Sequence, residues 1–276
     1  MKFKIIVDSS GNMKSDYIKD KDVGFAVAPL TMRIDDVEYV DDDNIDVDKL
    51  LAAIDKTKGK PTSSCPSPSV FLSCYEDCDY AIVITISAKL SGSFNSATLA
   101  ASMTNKANNI FVLDSKAVAG SIQILADKCY ELIKKGLNFE DIRKELTYTR
   151  DSLDLLFVLN KFDNLVRNGR MNKVTAFIAT KMSIKPLCYA DDGEIKVKEK
   201  IRTLEGTYKR LVANIEKFAS HTKGKSCIIA HTKNLEGAQI LEKSIAQKYH
   251  FAKILIVENR GLCAFYSLKG GIMVSF

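Results

Sequence analysis

Short runs rich in β-branched and aromatic residues alternate along the first half of the chain with segments of helical period. Phe3 to Val7, Ala81 to Ile86 and Ile110 to Leu113 read as strands. Each ends at a polar loop: Asp8-Ser9-Ser10-Gly11, the stretch from Ser87 to Ser93, and Asp114-Ser115. Between Ala119 and Lys135, the apolar positions Ile122, Leu125, Ala126, Cys129, Leu132 and Ile133 keep helical spacing, and Gly136 stops the run. Asn138 with Asp141 then predicts a capped helix through Arg150. Strand–helix alternation of this kind predicts an α/β fold: a mostly parallel sheet with helices on both faces. Such sheets take ligands at the carboxyl ends of their strands, where Ser9, Ser91 and Ser115 fall.

The texture changes near residue 151, which divides the chain into an N-terminal α/β domain, 1–151, and a C-terminal α+β domain, 152–276. Leu153 to Leu159 is apolar, and Asn168-Gly169-Arg170 marks a tight turn. Ile184 to Tyr189 and Glu194 to Val197 predict a hairpin across Asp192-Gly193. A long helix from Thr203 to Ser220, a strand from Ser226 to His231, a helix from Leu235 to Tyr249 and a strand from Ile254 to Val257 follow.

Composition narrows the function classes. The 276 residues are 46% hydrophobic and 27% charged, ordinary for a soluble globular protein with a sizeable core. The net charge of +6 is spread along the chain rather than blocked, which argues against nucleic-acid binding. No run approaches a membrane span, and the apolar stretch near the N-terminus stops at Val7, too short for a signal peptide. A cytoplasmic protein without stable membrane insertion is expected. Seven scattered cysteines lack metal-site spacing, so buried, reduced, structural thiols are expected and no metal.

Candidate chemistry centres on Ser87 to Ala97. A helix opening on Gly92-Ser93 aims unpaired N–H groups and serine hydroxyls at what precedes it, which suits an anion such as a carboxylate or phosphate. Thr62 to Pro68 is a rigid, hydroxyl-rich turn that either links two elements or brings further donors to the same anion. Arg170, in its turn, is either solvated or aimed at a phosphate or a partner's carboxylates. Ala219 to Ser226 matches the letters of a P-loop, but a helix precedes it and a strand follows, the reverse of what that loop requires. His231 is the sole candidate for a general base, and no nucleophile elbow accompanies it. A serine hydrolase of acyl esters and a carrier of another small anionic metabolite stand as alternatives.

In order, Val7-Asp8-Ser9, Pro29-Leu30, Ser63-Ser64-Cys65-Pro66-Ser67-Pro68, Leu90-Ser91-Gly92-Ser93, Asn95-Ser96-Ala97, Asp114-Ser115, Asn168-Gly169-Arg170, Ile184-Lys185-Pro186 and Lys200-Ile201-Arg202 resemble the DegV family of bacterial fatty-acid-binding proteins. These landmarks span about the first three quarters of the chain. The resemblance implies two domains with a long-chain fatty acid buried between them. It also implies a non-catalytic carrier without cofactor, which presents the fatty acid to a separate ATP-dependent fatty acid kinase subunit for acyl phosphate formation. Carried onto this chain, it puts Ser63, Ser64, Ser91, Gly92 and Ser93 around the carboxylate, with Ala97 to Ala101 along the tail. Arg170 and Arg202 fall on the partner or phosphate side. The chain departs from the family in Ser63-Ser64 where Thr-Ser is usual, in Asn168 for a glycine, and in Tyr266 to Gly271, where relatives carry a histidine and a Gly-Pro-Gly turn. Tyr266 has a hydroxyl able to hydrogen-bond a carboxylate in that histidine's place.

Overall fold

The protein is described here by a computed structural model covering residues 2–171, 184–219 and 221–276. Strands β1 (Phe3–Asp8), β2 (Val23–Ala28), β6 (Tyr80–Thr85) and β7 (Ile110–Asp114) form a parallel sheet in the order β2-β1-β6-β7. Its strands are apolar on both faces, as a sheet covered by helices on both sides must be. Ile5, Val7, Ile82 and Ile84 pack with Leu125 and Cys129 of α4 (Gly120–Lys134) and Ile142 of α5 (Phe139–Asp151). Ile6 and Val83 face the other way, onto Phe71 of α2 (Pro68–Cys74) and Ala97 and Ala100 of α3 (Ser93–Ser102). The predicted cap is present: the Asn138 side chain accepts from the Asp141 N–H at 2.9 Å.

A small antiparallel sheet, β4-β3-β5, unites β3 (Thr31–Ile34), β4 (Val37–Val40) and β5 (Thr62–Ser64), while α1 (Val47–Lys56) lies between the last two in the chain. The Thr62 to Pro68 stretch is therefore not a turn throughout. It begins as a strand and ends at Ser67, which caps α2.

The second half builds a six-stranded sheet in the order β10-β9-β8-β13-β11-β12. It comprises β8 (Leu155–Val158), β9 (Leu187–Asp191), β10 (Glu194–Glu199), β11 (Ser226–His231), β12 (Lys253–Glu258) and β13 (Ile272–Ser275). Among its described strands only β11 and β12 pair in parallel. The hairpin β9–β10 turns through Asp192 and Gly193, both at positive φ (47° and 86°), the backbone that an Asp-Gly pair supplies. One face, with Leu156, Ile229 and Val274, packs on α7 (Leu204–Phe218) and α8 (Leu235–Lys248), joining Leu211, Ile215 and Leu241. The helix predicted to end at Ser220 ends at Phe218, and Ser220 lies outside the described residues.

The two halves share their interiors. Helix α9 (Gly261–Ser267) seats Leu262 and Phe265 in the apolar cluster of the parallel sheet, although it belongs to the last part of the chain. Helix α4 packs on β11 and β13, and Gly120 is needed there because a Cβ would stand 2.8 Å from Ile228. The remaining face of the six-stranded sheet, with Leu155, Phe157 and Met273, looks toward Ala117 and Ala119 at the carboxyl edge of the parallel sheet.

Candidate functional site

Between that face and that edge lies a cavity of about 290 Å³. Its polar wall is assembled from four places in the chain. Strand β5 contributes Ser63 and Ser64, held by pairing with Met32 and Thr31 of β3. The loop after β6 contributes Ser91 and Gly92; it is tightened by the Leu90 and Ser91 N–H groups, which both donate to the Ser87 carbonyl (2.9 and 3.1 Å). Gly92 precedes α3 with no side-chain cap on the helix; the Ser93 N–H donates to Ser91 Oγ at 3.3 Å, and the next N–H groups of the first turn keep their donor capacity. A Cβ at Gly92 would lie 3.1 Å from the Cys65 sulfur, so glycine lets these two segments approach.

Tyr266 of α9 and Arg170 close the wall. The Tyr266 hydroxyl and Ser63 Oγ are 2.7 Å apart. Burial raises the Tyr266 phenol above its ordinary range, opposed by the Ser63 hydrogen bond and the Arg170 charge, so it remains a neutral donor at physiological pH. Arg170 follows Gly169, whose φ of +71° turns the chain out of α6 (Asp163–Arg167). Its guanidinium donates through Nε to the Leu90 carbonyl at 3.1 Å and through a terminal nitrogen to the Asn168 carbonyl. One arginine therefore ties the turn at 168–170 to the loop that carries Ser91.

Most of the remaining wall is apolar, with Ile86, Val118, Phe157, Leu159 and Met273 among it, and Lys116, Glu194 and Ser267 are its polar exceptions. The β9–β10 turn straps this compartment. Ser87 Oγ donates to the Gly193 carbonyl at 2.8 Å, while Lys89 and Lys116 reach Asp192 at 3.2 and 2.7 Å. A Cβ on Gly193 would meet Ser87 Oγ at 2.4 Å, so only glycine fits there. A void that is greasy over most of its surface and lined with hydroxyls at one wall suits an amphiphile with an anionic head. The apolar part drives burial, and the hydroxyl, amide and guanidinium donors repay desolvation of the charge.

The structure brings Ser63, Ser64, Ser91, Gly92, Tyr266 and Arg170 onto one wall. Ser93 does not reach it: fully buried, it stands one layer behind, 3.1 Å from Ser91 Oγ. Arg202 is exposed at the bend before α7 and is not part of the wall. Ala97, Ala100 and Ala101 do not face the cavity either, because they pack on α2 and the sheet. Ser9 is occupied in holding the Leu30 N–H at 3.0 Å, and Ser115 in hydrogen bonds with Ala117. His231 lies outside the wall, and its Nδ1 accepts the Asn234 N–H at 3.2 Å, so that nitrogen serves the turn into α8.

All seven cysteines are unpaired. Five are buried as expected, but Cys65 is exposed and lines the cavity, because the segment after β5 leaves the sheet toward Gly92. Among the described residues no His, Cys, Asp and Glu side chains cluster as metal ligands, and no helix is long and apolar enough to cross a membrane. Sequence reasoning missed the strap residues Lys116, Gly193 and Glu194 in the wall.

Comparison with known proteins places these features in a family. The model of the family described as "Uncharacterised protein, DegV family" matches residues 2–276. A DegV domain-containing protein of Streptococcus pyogenes serotype M1 is 34% identical over 280 residues, covering 100% of this chain and 99% of its own. Among solved structures, the fatty acid kinase (Fak) B3 protein of Streptococcus pneumoniae, loaded with linoleic acid, superposes with a TM-score of 0.94 at 30% identity, covering 100% of this chain and 99% of its own. A DegV family protein of Eubacterium eligens, loaded with heptadecanoic acid, gives 0.91 at 27% identity, covering 99% and 98%. With the family model spanning nearly every residue and full-length relatives above 30% identity, this chain is a member of the DegV family.

Proposed function

We propose that this protein binds one long-chain fatty acid between its two halves and presents the carboxylate to a separate ATP-dependent kinase subunit, which converts it to an acyl phosphate. The protein itself acts as a non-catalytic carrier. The observation that carries this reading is the cavity: an apolar compartment under the six-stranded sheet that meets a wall of Ser63, Ser64, Ser91, Tyr266 and Arg170. Burying about fifteen methylenes at ~0.8 kcal/mol each gives a gross drive of roughly 12 kcal/mol. Immobilisation costs several kcal/mol of that, which leaves sub-micromolar affinity within reach. The carboxylate cannot enter such a compartment unpaired, and the hydroxyls together with the Arg170 guanidinium meet that demand.

The ligands named for the pneumococcal and Eubacterium proteins, linoleic and heptadecanoic acid, support an acyl chain as the occupant. The kinase connection in the pneumococcal protein's name supports a phosphoryl-transfer partner. Two measurements test the reading. Organic extraction of the purified protein, followed by mass spectrometry, is expected to release about one fatty acid per chain. Acyl phosphate is expected only when protein, kinase subunit and ATP are all present. An extract without acyl chains discards the carrier assignment, and acyl phosphate formed by the isolated protein discards its non-catalytic role.

A further inference from the structure

The polar wall is drawn from separate stretches of the chain, and α6 with the turn that ends it reaches all of the others. The turn is set by its own backbone. The Gly169 N–H donates to the Val166 carbonyl at 3.0 Å and the Arg170 N–H to the Leu165 carbonyl at 2.8 Å, the paired bonds of a helix that leaves through a left-handed glycine. Leu165 itself lines the cavity, so the end of α6 is seated in the compartment.

From this base two asparagines reach outward beside Arg170. Asn164, buried within α6, donates through Nδ2 to the Phe265 carbonyl at 2.7 Å. Phe265 immediately precedes Tyr266, and its carbonyl lies in the last turn of α9, where the helix supplies no N–H. Asn168 uses both hydrogens of Nδ2, one on the Asn164 carbonyl at 2.9 Å and one on the Pro61 carbonyl at 3.0 Å. Pro61 stands two residues before Ser63. All three acceptors are backbone carbonyls, so each amide must present its nitrogen to them. The bond from Arg170 Nε to the Leu90 carbonyl, beside Ser91, completes the set. Neither asparagine lines the cavity.

We propose that Asn164 and Asn168 are positioning residues for the head group: their amides touch no ligand, but hold Tyr266 and the Ser63–Ser64 strand at fixed reach from Arg170. This rests on the carrier reading above. Donors brought together from distant segments must otherwise be ordered when the carboxylate arrives, at a cost in affinity that ties made beforehand remove. Each tie also satisfies a backbone carbonyl, so its loss weakens the fold as well. The test therefore has to separate head-group binding from general destabilisation.

Delipidated wild type, Asn168→Ala and Asn164→Ala are titrated calorimetrically with dodecanoate and with 1-dodecanol, which has the same tail without the charge. Each variant is expected to bind dodecanoate about tenfold more weakly, the equivalent of one displaced hydrogen bond to a charged acceptor, and dodecanol within about threefold of wild type. In a Tyr266→Phe background, Asn164→Ala should weaken dodecanoate by less than about threefold more, because the hydroxyl it holds is already gone. Equal losses for acid and alcohol reveal a merely structural role and overturn the proposal, as does an unchanged dodecanoate affinity in either folded variant. The carrier reading survives both of those results. Failure of dodecanoate and of palmitate to bind the wild-type protein overturns both readings. Asn168 is half-buried at a helix end, so Asn168→Ala decides the matter even if Asn164→Ala does not fold.

Discussion

Tyr266→Phe deletes one oxygen from the polar wall and leaves the ring, packed edge-on against Phe265 with centroids 4.8 Å apart, in place. Without ligand, the loss is one neutral hydrogen bond to Ser63 at 2.7 Å, about 0.5–1.5 kcal/mol of stability. With a fatty carboxylate on the wall, the lost bond is to a charged acceptor, worth about 1.5–3 kcal/mol, or roughly a ten- to hundredfold loss of affinity. Burial keeps the phenol protonated, so the ratio of mutant to wild-type affinity should stay constant from pH 5 to pH 8. The assay is displacement of a fluorescent fatty acid by palmitate, made cleaner because the chain has no tryptophan. A Tyr266→Phe protein that binds palmitate within twofold of wild type would refute the placement of the head group beside Tyr266.

Further tests address the tail, the strap, the alternative chemistry and pH. Ala190→Phe places an aromatic ring in the apolar compartment and should weaken palmitate binding by at least tenfold while sparing decanoate; equal losses for both chains count against a tail lying there. Gly193→Ala puts a methyl 2.4 Å from Ser87 Oγ and forces an L-residue to φ +86°, so a loss of about 1–3 kcal/mol is expected in urea unfolding, and an unchanged midpoint contradicts the strap geometry. His231→Gln should leave fatty-acid binding unaltered, and neither protein should hydrolyse a nitrophenyl acyl ester; turnover lost with His231 would revive the hydrolase reading. Asp41 is buried, and desolvation raises its carboxyl to about 6 against the Leu262 N–H and Ser9. Between about pH 4 and 6 the folded chain holds a proton there that the unfolded chain releases, so that contribution favours folding below pH 4 and is lost as pH rises through 6. Asp41→Asn should therefore gain on wild type by roughly 2–3 kcal/mol between pH 4 and pH 7.5 in urea titrations, and a pH-independent difference would contradict this.

The parallel sheet was legible because its strands are continuous apolar runs punctuated by polar loops, a signal that survives without tertiary context. The Asp192-Gly193 hairpin was legible because that dipeptide favours positive φ at both positions. Helix α9 was not, since six of its seven residues, from Gly261 to Phe265 and Ser267, are buried and leave no polar face to mark a helical period. The β3–β4 hairpin also escaped notice. Its strands are four residues each, and its turn is Asp35-Asp36, with Asp35 at φ +53°, rather than an Asp-Gly pair.

Most of the polar wall could be anticipated from hydroxyl-rich loops at strand ends and from the family resemblance. Its depth could not. Ser91 lies in the loop before α3 and lines the cavity, while Ser93 opens the helix and is buried behind it, a difference that spacing along the chain does not reveal. Nor could the strap be read, because Lys89, Lys116 and Asp192 meet across more than seventy residues.

A crystal structure of the protein loaded with palmitate tests the central claim most directly. The account predicts the carboxylate within hydrogen-bond reach of Ser91 and of the Ser63–Tyr266 pair, with the acyl chain running along Phe157, Leu159 and Met273. A carboxylate facing solvent away from those hydroxyls, or an acyl chain bound outside this cavity, would contradict it.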